Sequence, residues 1–461
     1  MGLFFRLYRI GVPSLWFDEL LTAGRIQVPF REILHDLSHS PFPPLYYLLM
    51  RGWSLVAGIS EWTLRFPSAL FSSASVWAVY LFGKELYDRK TALIAALFLS
   101  VSPYAVYYGQ EAKMYSMLWF LGSFSFYFFY RLLKNGRKSD ALLYVLCTVA
   151  AIYTLYAGFV FLITQLCLLF VWPDRRHRKA GGTAIALTLV FFLPWLPVFL
   201  EQARNRTGIR WIGEVDRIRF FFSFFREISS GVGHGSPLWK VLKQIFAAGY
   251  LCLASAALIP PRKNHGFLFA MIAVPLAAFY LVDLLFQPIL IVRYMGWIHI
   301  PLALLAAYSV NRCSRIVRPA LVLLAVSMCV GFWYVHTAGN LKNIEDWRNL
   351  FERLRIEEPP PEKAVLWVGV FSPPGYQAIA NRGLKIYHRG VAPEIVHRNF
   401  FSKEAFEKQN DAPGTVFLIY RKMRPEDSPV LPFDSLRGYQ VSRYETARVG
   451  FLKFTNLTDD A

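Results

Sequence analysis

Apolar runs long enough to cross a bilayer recur along the first three-quarters of the chain, with charged segments after every second one. They predict helical spans at about 1–12, 64–82, 91–108, 114–132, 140–155, 157–172, 182–200, 241–259, 266–286, 292–310 and 317–337. A hydrocarbon core of about 30 Å requires roughly 17 to 25 such residues per crossing. The first of these eleven is short: Met1-Gly-Leu-Phe-Phe-Arg6-Leu-Tyr-Arg9-Ile reads as the last turns of a truncated span, made poorer by its two arginines and lacking a signal-peptide cleavage site.

Beyond about residue 340 the pattern changes. A charged helical stretch from Glu345 to Arg355 leads to Pro359-Pro-Pro361. Strand-like runs Ala364-Val-Leu-Trp-Val, Thr415-Val-Phe-Leu-Ile-Tyr and Gly450-Phe-Leu-Lys-Phe follow, separated by turn residues and helical patterns. The predicted organisation is a transmembrane domain over 1–338 and a small soluble α/β domain over 339–461, outside the cytoplasm.

Loop charge sets the orientation, because cytoplasmic loops carry the excess of Lys and Arg. One set of loops holds Lys84, Arg89 and Lys90; Arg131, Lys134, Arg137 and Lys138; Arg175, Arg176, Arg178 and Lys179; Arg262 and Lys263; and Arg312, Arg315 and Arg318. The loops that alternate with these are nearly free of cations, so they face the extracytoplasmic side. That parity decides the run Pro43-Pro-Leu-Tyr-Tyr-Leu-Leu-Met-Arg51-Gly-Trp53: if it crossed, every later basic loop would move outside. It reads instead as an amphipathic helix on the outer surface, within one long outer loop at 13–63. The outer loop at 201–240 breaks the rule with Arg204, Arg206, Arg210, Arg217, Arg219, Arg226 and Lys240, and reads as a solvated or headgroup-binding face.

Composition agrees. With 55% hydrophobic, 17% aromatic and 18% charged residues among 461, there is too little polar surface to cover a soluble globule of this size, and the chain is an all-α polytopic membrane protein in its main part. The net charge of +19 lies largely in short loops, where it sets orientation, so nucleic acid is not an expected partner. The five cysteines sit in or beside apolar runs with no CxxC pair, which indicates neither a disulfide framework nor a zinc site.

The candidate chemistry lies in the outer loops. Asp18 and Glu19 adjoin the first apolar segment, and carboxylates beside a span more often face a watery cavity than lipid. Neighbours on a helix diverge by about 100 degrees, so only one can meet a given substrate atom. Spacing leaves two compatible readings open: Asp18 as the cap of a helix starting at Glu19, or Asp18 as a catalyst. Glu111, in Gln110-Glu-Ala-Lys-Met-Tyr115, falls in the next outer loop, either as a first-turn acid or as a second carboxylate on the face of Asp18. Arg293 opens the tenth span and is a snorkelling anchor or a phosphate ligand, since a guanidinium offers paired donors matched to phosphate oxygens. Asp283, at the outer end of the ninth span, is either its partner or an interfacial residue of no special role. His39, Arg65 and Lys113 are further outer-side cations: singly each reads as structural, and as a group they are candidates to neutralise a phosphate near the carboxylates.

These residues also form a pattern. Trp16-Phe-Asp-Glu19, Pro43-Pro-Leu-Tyr-Tyr47, Trp53, Arg65-Phe-Pro-Ser68, Ser102-Pro103, Gln110-Glu-Ala-Lys-Met-Tyr115, Arg293-Tyr294 and Glu345-Asp-Trp-Arg348 resemble the bacterial relatives of dolichyl-phosphate-mannose protein mannosyltransferases, glycosyltransferase family 39. The lipid A aminoarabinose transferases are more distant relatives. The resemblance implies the C-type glycosyltransferase fold and inverting transfer of a sugar from a polyprenyl-phosphate donor to a protein, lipid or polysaccharide acceptor outside the cytoplasm. It implies Asp18 as the general base, with Glu19 beside it, Glu111 as the second-loop acid, and Arg293, Lys113, His39 and Arg65 at the donor phosphate. Relatives commonly have His directly before the paired prolines; here Phe42 holds that place.

No Gly-rich phosphate loop and no Asp-x-Asp pair is present, a lipid phosphate leaving group needs no nucleotide pocket, and no cofactor is specified by the sequence. A divalent ion held through carboxylate oxygens is the one candidate. Two other readings use the same residues: a transporter or lipid-linked sugar flippase with no transfer chemistry, whose charges would sit near the midplane of broken helices, and a ligase taking a lipid-pyrophosphate glycan.

Overall fold

The computed structural model describes residues 1–205, 215–232, 236–259, 263–339, 345–357, 364–369, 377–384, 386–387, 395–396, 415–421, 439–445 and 449–456. Arg206, Arg210, Arg262 and Pro359-Pro-Pro361, singled out above, lie outside them. The chain forms two compact units, residues 1–8, 31–49 and 65–339 in the first and residues 9–30, 50–64 and 340–461 in the second. The second unit therefore takes in two stretches that the pattern alone assigns to the membrane domain.

The first helices are α1 (Gly2–Leu7), α2 (Phe17–Arg25), α3 (Phe30–Ser38), α4 (Leu45–Ala57), α5 (Glu61–Leu86), α6 (Arg89–Val101), α7 (Pro103–Gly109) and α8 (Tyr115–Asn135). There follow α9 (Lys138–Thr154), α10 (Phe159–Val171), α11 (Arg175–Phe192), α12 (Leu196–Asn205), α13 (Arg217–Ser230), α14 (Pro237–Ala256), α15 (Lys263–Leu285), α16 (His299–Arg312) and α17 (Val317–Gly339). A helix stands at every predicted span. Among the described residues 4 are long and apolar enough to cross a membrane by themselves, Glu61–Leu86, Arg175–Arg204, Asn264–Leu285 and Val317–Val335, and α6 with α7 makes a fifth, bent by 56°. Pro103 explains the bend, because a proline supplies no backbone donor and starts a new helix. Leu323 and Leu324 of α17 are 67% and 59% exposed, as suits side chains that meet lipid tails. The protein is a multi-pass membrane protein.

The packed centre of this unit is aromatic. Trp119 stacks on Tyr104 at 5.3 Å, and Phe126 stacks on Trp297 at 5.4 Å, all four rings buried. The two arginines of the first segment part ways. Arg6 is wholly buried, but its Nε donates to Ser72 Oγ at 2.7 Å and its Nη atoms to the carbonyl oxygens of Ser100 and Leu99 at 3.0 and 3.2 Å. Gln110 Nε2 in turn donates to the Phe5, Arg6 and Tyr8 carbonyl oxygens that end α1. Arg6 thus fastens the short first helix to its neighbours, as a buried charge must be bonded to be tolerated.

The 201–240 segment is helical over α13, which buries Phe220, Phe224 and Ile228 and leaves Ile218 and Phe222 exposed. Its first residue corrects the partner expected for Arg293. Asp283 pairs with Arg217, Nε to Oδ2 at 3.0 Å, and its Oδ1 accepts the N–H groups of Ile289 and Leu290 at 3.0 and 3.4 Å. Asp283→Ala is expected to destabilise the protein by about 1 to 3 kcal/mol, because it strands two amides and a guanidinium; thermal unfolding in detergent measures it.

The second unit holds α18 (Trp347–Glu357), α19 (Gln377–Leu384) and a five-stranded sheet of β1 (Ala364–Gly369), β2 (Ile395–Val396), β3 (Thr415–Arg421), β4 (Tyr439–Glu445) and β5 (Val449–Asn456). The order is β2-β1-β3-β5-β4, parallel around β1 and antiparallel on both sides of β5. The three strand-like runs of the sequence are β1, β3 and β5. Helix α4, at 13 residues, covers about 20 Å at 1.5 Å per residue.

Candidate active site

In the second unit, Asp18 is the second residue of α2 and half-buried. The helix begins at Phe17 with Trp16 at its N-cap, so Asp18 is not the cap. That work falls to Glu19, wholly buried, whose Oε2 accepts the Trp16 N–H at 3.3 Å and so satisfies one of the donors a helix start leaves open. The two adjacent carboxylates thus differ in setting: Glu19 is wholly buried and bonded at the helix start, and Asp18 is half-buried one residue before it.

α2 is held along its length. Arg51 Nη1 donates to the Ile26 carbonyl at its C-terminal end at 3.0 Å, and Gln27 Nε2 donates to the Arg382 carbonyl at 2.8 Å. Its flank meets α19 backbone to backbone: a Cβ on Gly24 would lie 1.8 Å from the Ile379 carbonyl oxygen, and one on Gly383 would lie 2.1 Å from that of Leu20. Glycine at both positions is what lets the helices come so close.

In the first unit, the structure brings Glu111 and Arg293 to one cluster of tyrosines, with Lys113 in the same turn as Glu111, its N–H donating to the Glu111 carbonyl at 2.7 Å. Glu111 is 6% exposed and accepts the Tyr107 hydroxyl, while Glu111 and Arg293 both lie within electrostatic reach of Tyr107 and Tyr108. The Arg293 guanidinium sits over the Tyr115 ring, 5.9 Å from its centroid. Lys113, 2% exposed, holds its Nζ 5.6 Å from the centroid of Phe42, the residue at the place where relatives commonly have His. A ring face there steadies the ammonium without neutralising it. The Lys113 carbonyl accepts Ser68 Oγ at 3.2 Å, and buried Arg65 lies one turn before Ser68 on α5.

His39 is not brought to this cluster by any hydrogen bond. It is exposed, and its Nδ1 lies 3.0 Å from both the His35 carbonyl oxygen and the Ser38 hydroxyl, so its bonds stay within the end of its own helix. Among the described residues no group of three or more His, Cys, Asp or Glu is gathered as a metal site would require. The tyrosines were missed by sequence reasoning. Tyr104, Tyr107 and Tyr108, at helical spacing just before Glu111, were the available signal.

The arrangement thus offers one carboxylate on a fixed helix start in the second unit. In the first it offers two cations and a carboxylate on aromatic rings, a setting suited to a phosphate and a sugar face.

Residues 41–198 match the family model described as dolichyl-phosphate-mannose-protein mannosyltransferase. A protein of Bacillus subtilis (strain 168) named "Putative mannosyltransferase YkcB" is 25% identical over 213 residues, 42% of this chain, and the match spans only 29% of that relative's length. Among solved structures, ArnT from Cupriavidus metallidurans in the apo state superposes with a TM-score of 0.63 at 11% identity, over 98% of this chain and 96% of that one. The same protein bound to undecaprenyl phosphate gives 0.57 at 13% identity over the same shares. The archaeal oligosaccharyltransferase AglB from Archaeoglobus fulgidus, in complex with an inhibitory peptide and a dolichol-phosphate, gives 0.54 at 12% over 91% of this chain and 68% of that one. The fold is the C-type glycosyltransferase fold. Over residues 41–198 the chain is similar to the dolichyl-phosphate-mannose-protein mannosyltransferase model, and it shares its fold with ArnT and AglB.

Proposed function

We propose that this protein transfers a sugar from a polyprenyl-phosphate donor to an acceptor hydroxyl on the extracytoplasmic side of the membrane, with inversion at the anomeric carbon. The observation that carries this reading is the pair of cations, Lys113 and Arg293, seated on aromatic rings beside Glu111 in a C-type fold. The likeness to ArnT, solved with undecaprenyl phosphate, supports a lipid phosphate as the donor's carrier.

In the proposed step the acceptor oxygen attacks the anomeric carbon, and the bond from that carbon to the phosphate oxygen breaks. Asp18 takes the acceptor proton, and the polyprenyl phosphate leaves with the bonding electron pair. General-base help of this kind supplies about 100-fold to 10,000-fold. Arg293 and Lys113 stabilise the charge that grows on the leaving phosphate. The acidic loop residue Glu111 orients the sugar or the acceptor through Tyr107.

The test is purified protein in liposomes with a polyprenyl-phosphate sugar labelled in the sugar. Release of polyprenyl phosphate together with a labelled product supports transfer, whereas movement of intact lipid-linked sugar across the bilayer with no covalent product overturns it. Arg293→Ala is expected to raise the donor KM about 10-fold to 100-fold, the loss of a charge-assisted bond to phosphate, measured by initial rates against donor concentration. Accessibility of cysteines placed in the 109–113 turn to an impermeant reagent tests the sidedness.

A further inference from the structure

The segment just before α2 is tied down by residues far away in sequence, and the ties are of one kind. Arg348 Nη1 donates to the Val12 carbonyl at 3.0 Å and Nη2 to that of Gly11 at 3.2 Å, and Nη2 is also ion-paired with Glu61. The Tyr387 hydroxyl donates to Glu61 Oε1 at 3.1 Å and accepts the N–H of buried Leu15 at 2.8 Å. Ser14 Oγ accepts the Arg348 N–H at 3.2 Å. Between Gly11 and Leu15, two carbonyls, one hydroxyl and one amide are thus fixed by a single connected group.

We propose that Arg348, Glu61 and Tyr387 form a clamp that positions Asp18, by fixing the backbone of residues 11–15 and hence the direction in which α2 starts. This rests on the reading of Asp18 as the base, three residues beyond Leu15. The parts suit the task. A guanidinium is a planar fork that holds two carbonyls and a carboxylate at once, which an ammonium does not. Burial works against its charge, and the bonded Glu61 carboxylate more than offsets this, so the Arg348 pKa is raised. Tyr387 is itself fixed, its ring stacked on Phe351 at an interplanar angle of 7°, so its hydroxyl is a rigid acceptor for Leu15. A small displacement of a reacting group costs up to about 100-fold in rate, which gives such a clamp something to protect.

Tyr387→Phe is the discriminating variant, because it keeps the ring and its stacking and removes only the hydroxyl. The expected result in the full-length protein is a fall of about 10-fold to 100-fold in kcat with the donor KM unchanged, and exchange of the Leu15 amide with deuterium at least about 10-fold faster. The double variant with Asp18→Asn separates positioning from loosening. If the clamp acts through Asp18, Tyr387→Phe takes nothing further from the residual rate of Asp18→Asn. Equal losses in both backgrounds, or unchanged kcat and unchanged Leu15 exchange, overturn the proposal. If the wild-type protein transfers no sugar, the functional reading fails separately, and amide exchange still decides the clamp: faster exchange in Tyr387→Phe supports it and unchanged exchange overturns it.

Discussion

On the proposed function, Asp18→Asn is expected to lower sugar transfer by about 100-fold to 10,000-fold while the protein still folds and inserts. The amide keeps the size of the carboxylate but cannot take a proton from the acceptor, and general-base catalysis is worth that factor. Asp18 is not the N-cap of α2. Trp16 is the N-cap and Glu19 closes the first turn. Glu19→Ala should show the opposite profile: a stability loss of about 1 kcal/mol, in the range of a lost cap, with chemistry retained per folded molecule. The check is single-turnover transfer beside thermal unfolding for both variants. Normal transfer by Asp18→Asn removes this residue from the mechanism.

The second large effect is structural. Gly24→Ala, or Gly383→Ala, is expected to destabilise the second unit by about 3 kcal/mol, at the upper end of ordinary overpacking. The added methyl meets backbone carbonyl oxygens at 1.8 Å and 2.1 Å, and backbone cannot swing aside as a side-chain end would. The helices must separate instead. Thermal unfolding and limited proteolysis read the loss. Gly52, whose Cβ position meets nothing within 4 Å, is the control at which alanine should be tolerated.

The comparison of Asp18 with Glu19 shows where a local reading stops. Adjacent acids at a helix start were visible, with cap and catalyst as compatible readings of Asp18. A shift of one residue in the helix boundary removed the cap reading, and boundaries are what local propensity fixes least well. Arg293 was visible as a cation at a span end, whereas its ring support from Tyr115 and the assignment of Asp283 to Arg217 were not. Those partners come from segments far apart in the chain, and no short-range signal links them.

By itself, the sequence determined the run of helices and the three strand-like segments, because hydrophobic period and length are local properties. It also carried the motif likeness that the fold bears out. Only the tertiary structure decided that residues 9–30 and 50–64 belong with the C-terminal sheet, that Arg6 is bonded rather than misplaced, and that Arg348 and Tyr387 hold the start of α2. The reason is the same in each case. A buried polar group must find a partner, and which partner it finds depends on how the helices pack against one another.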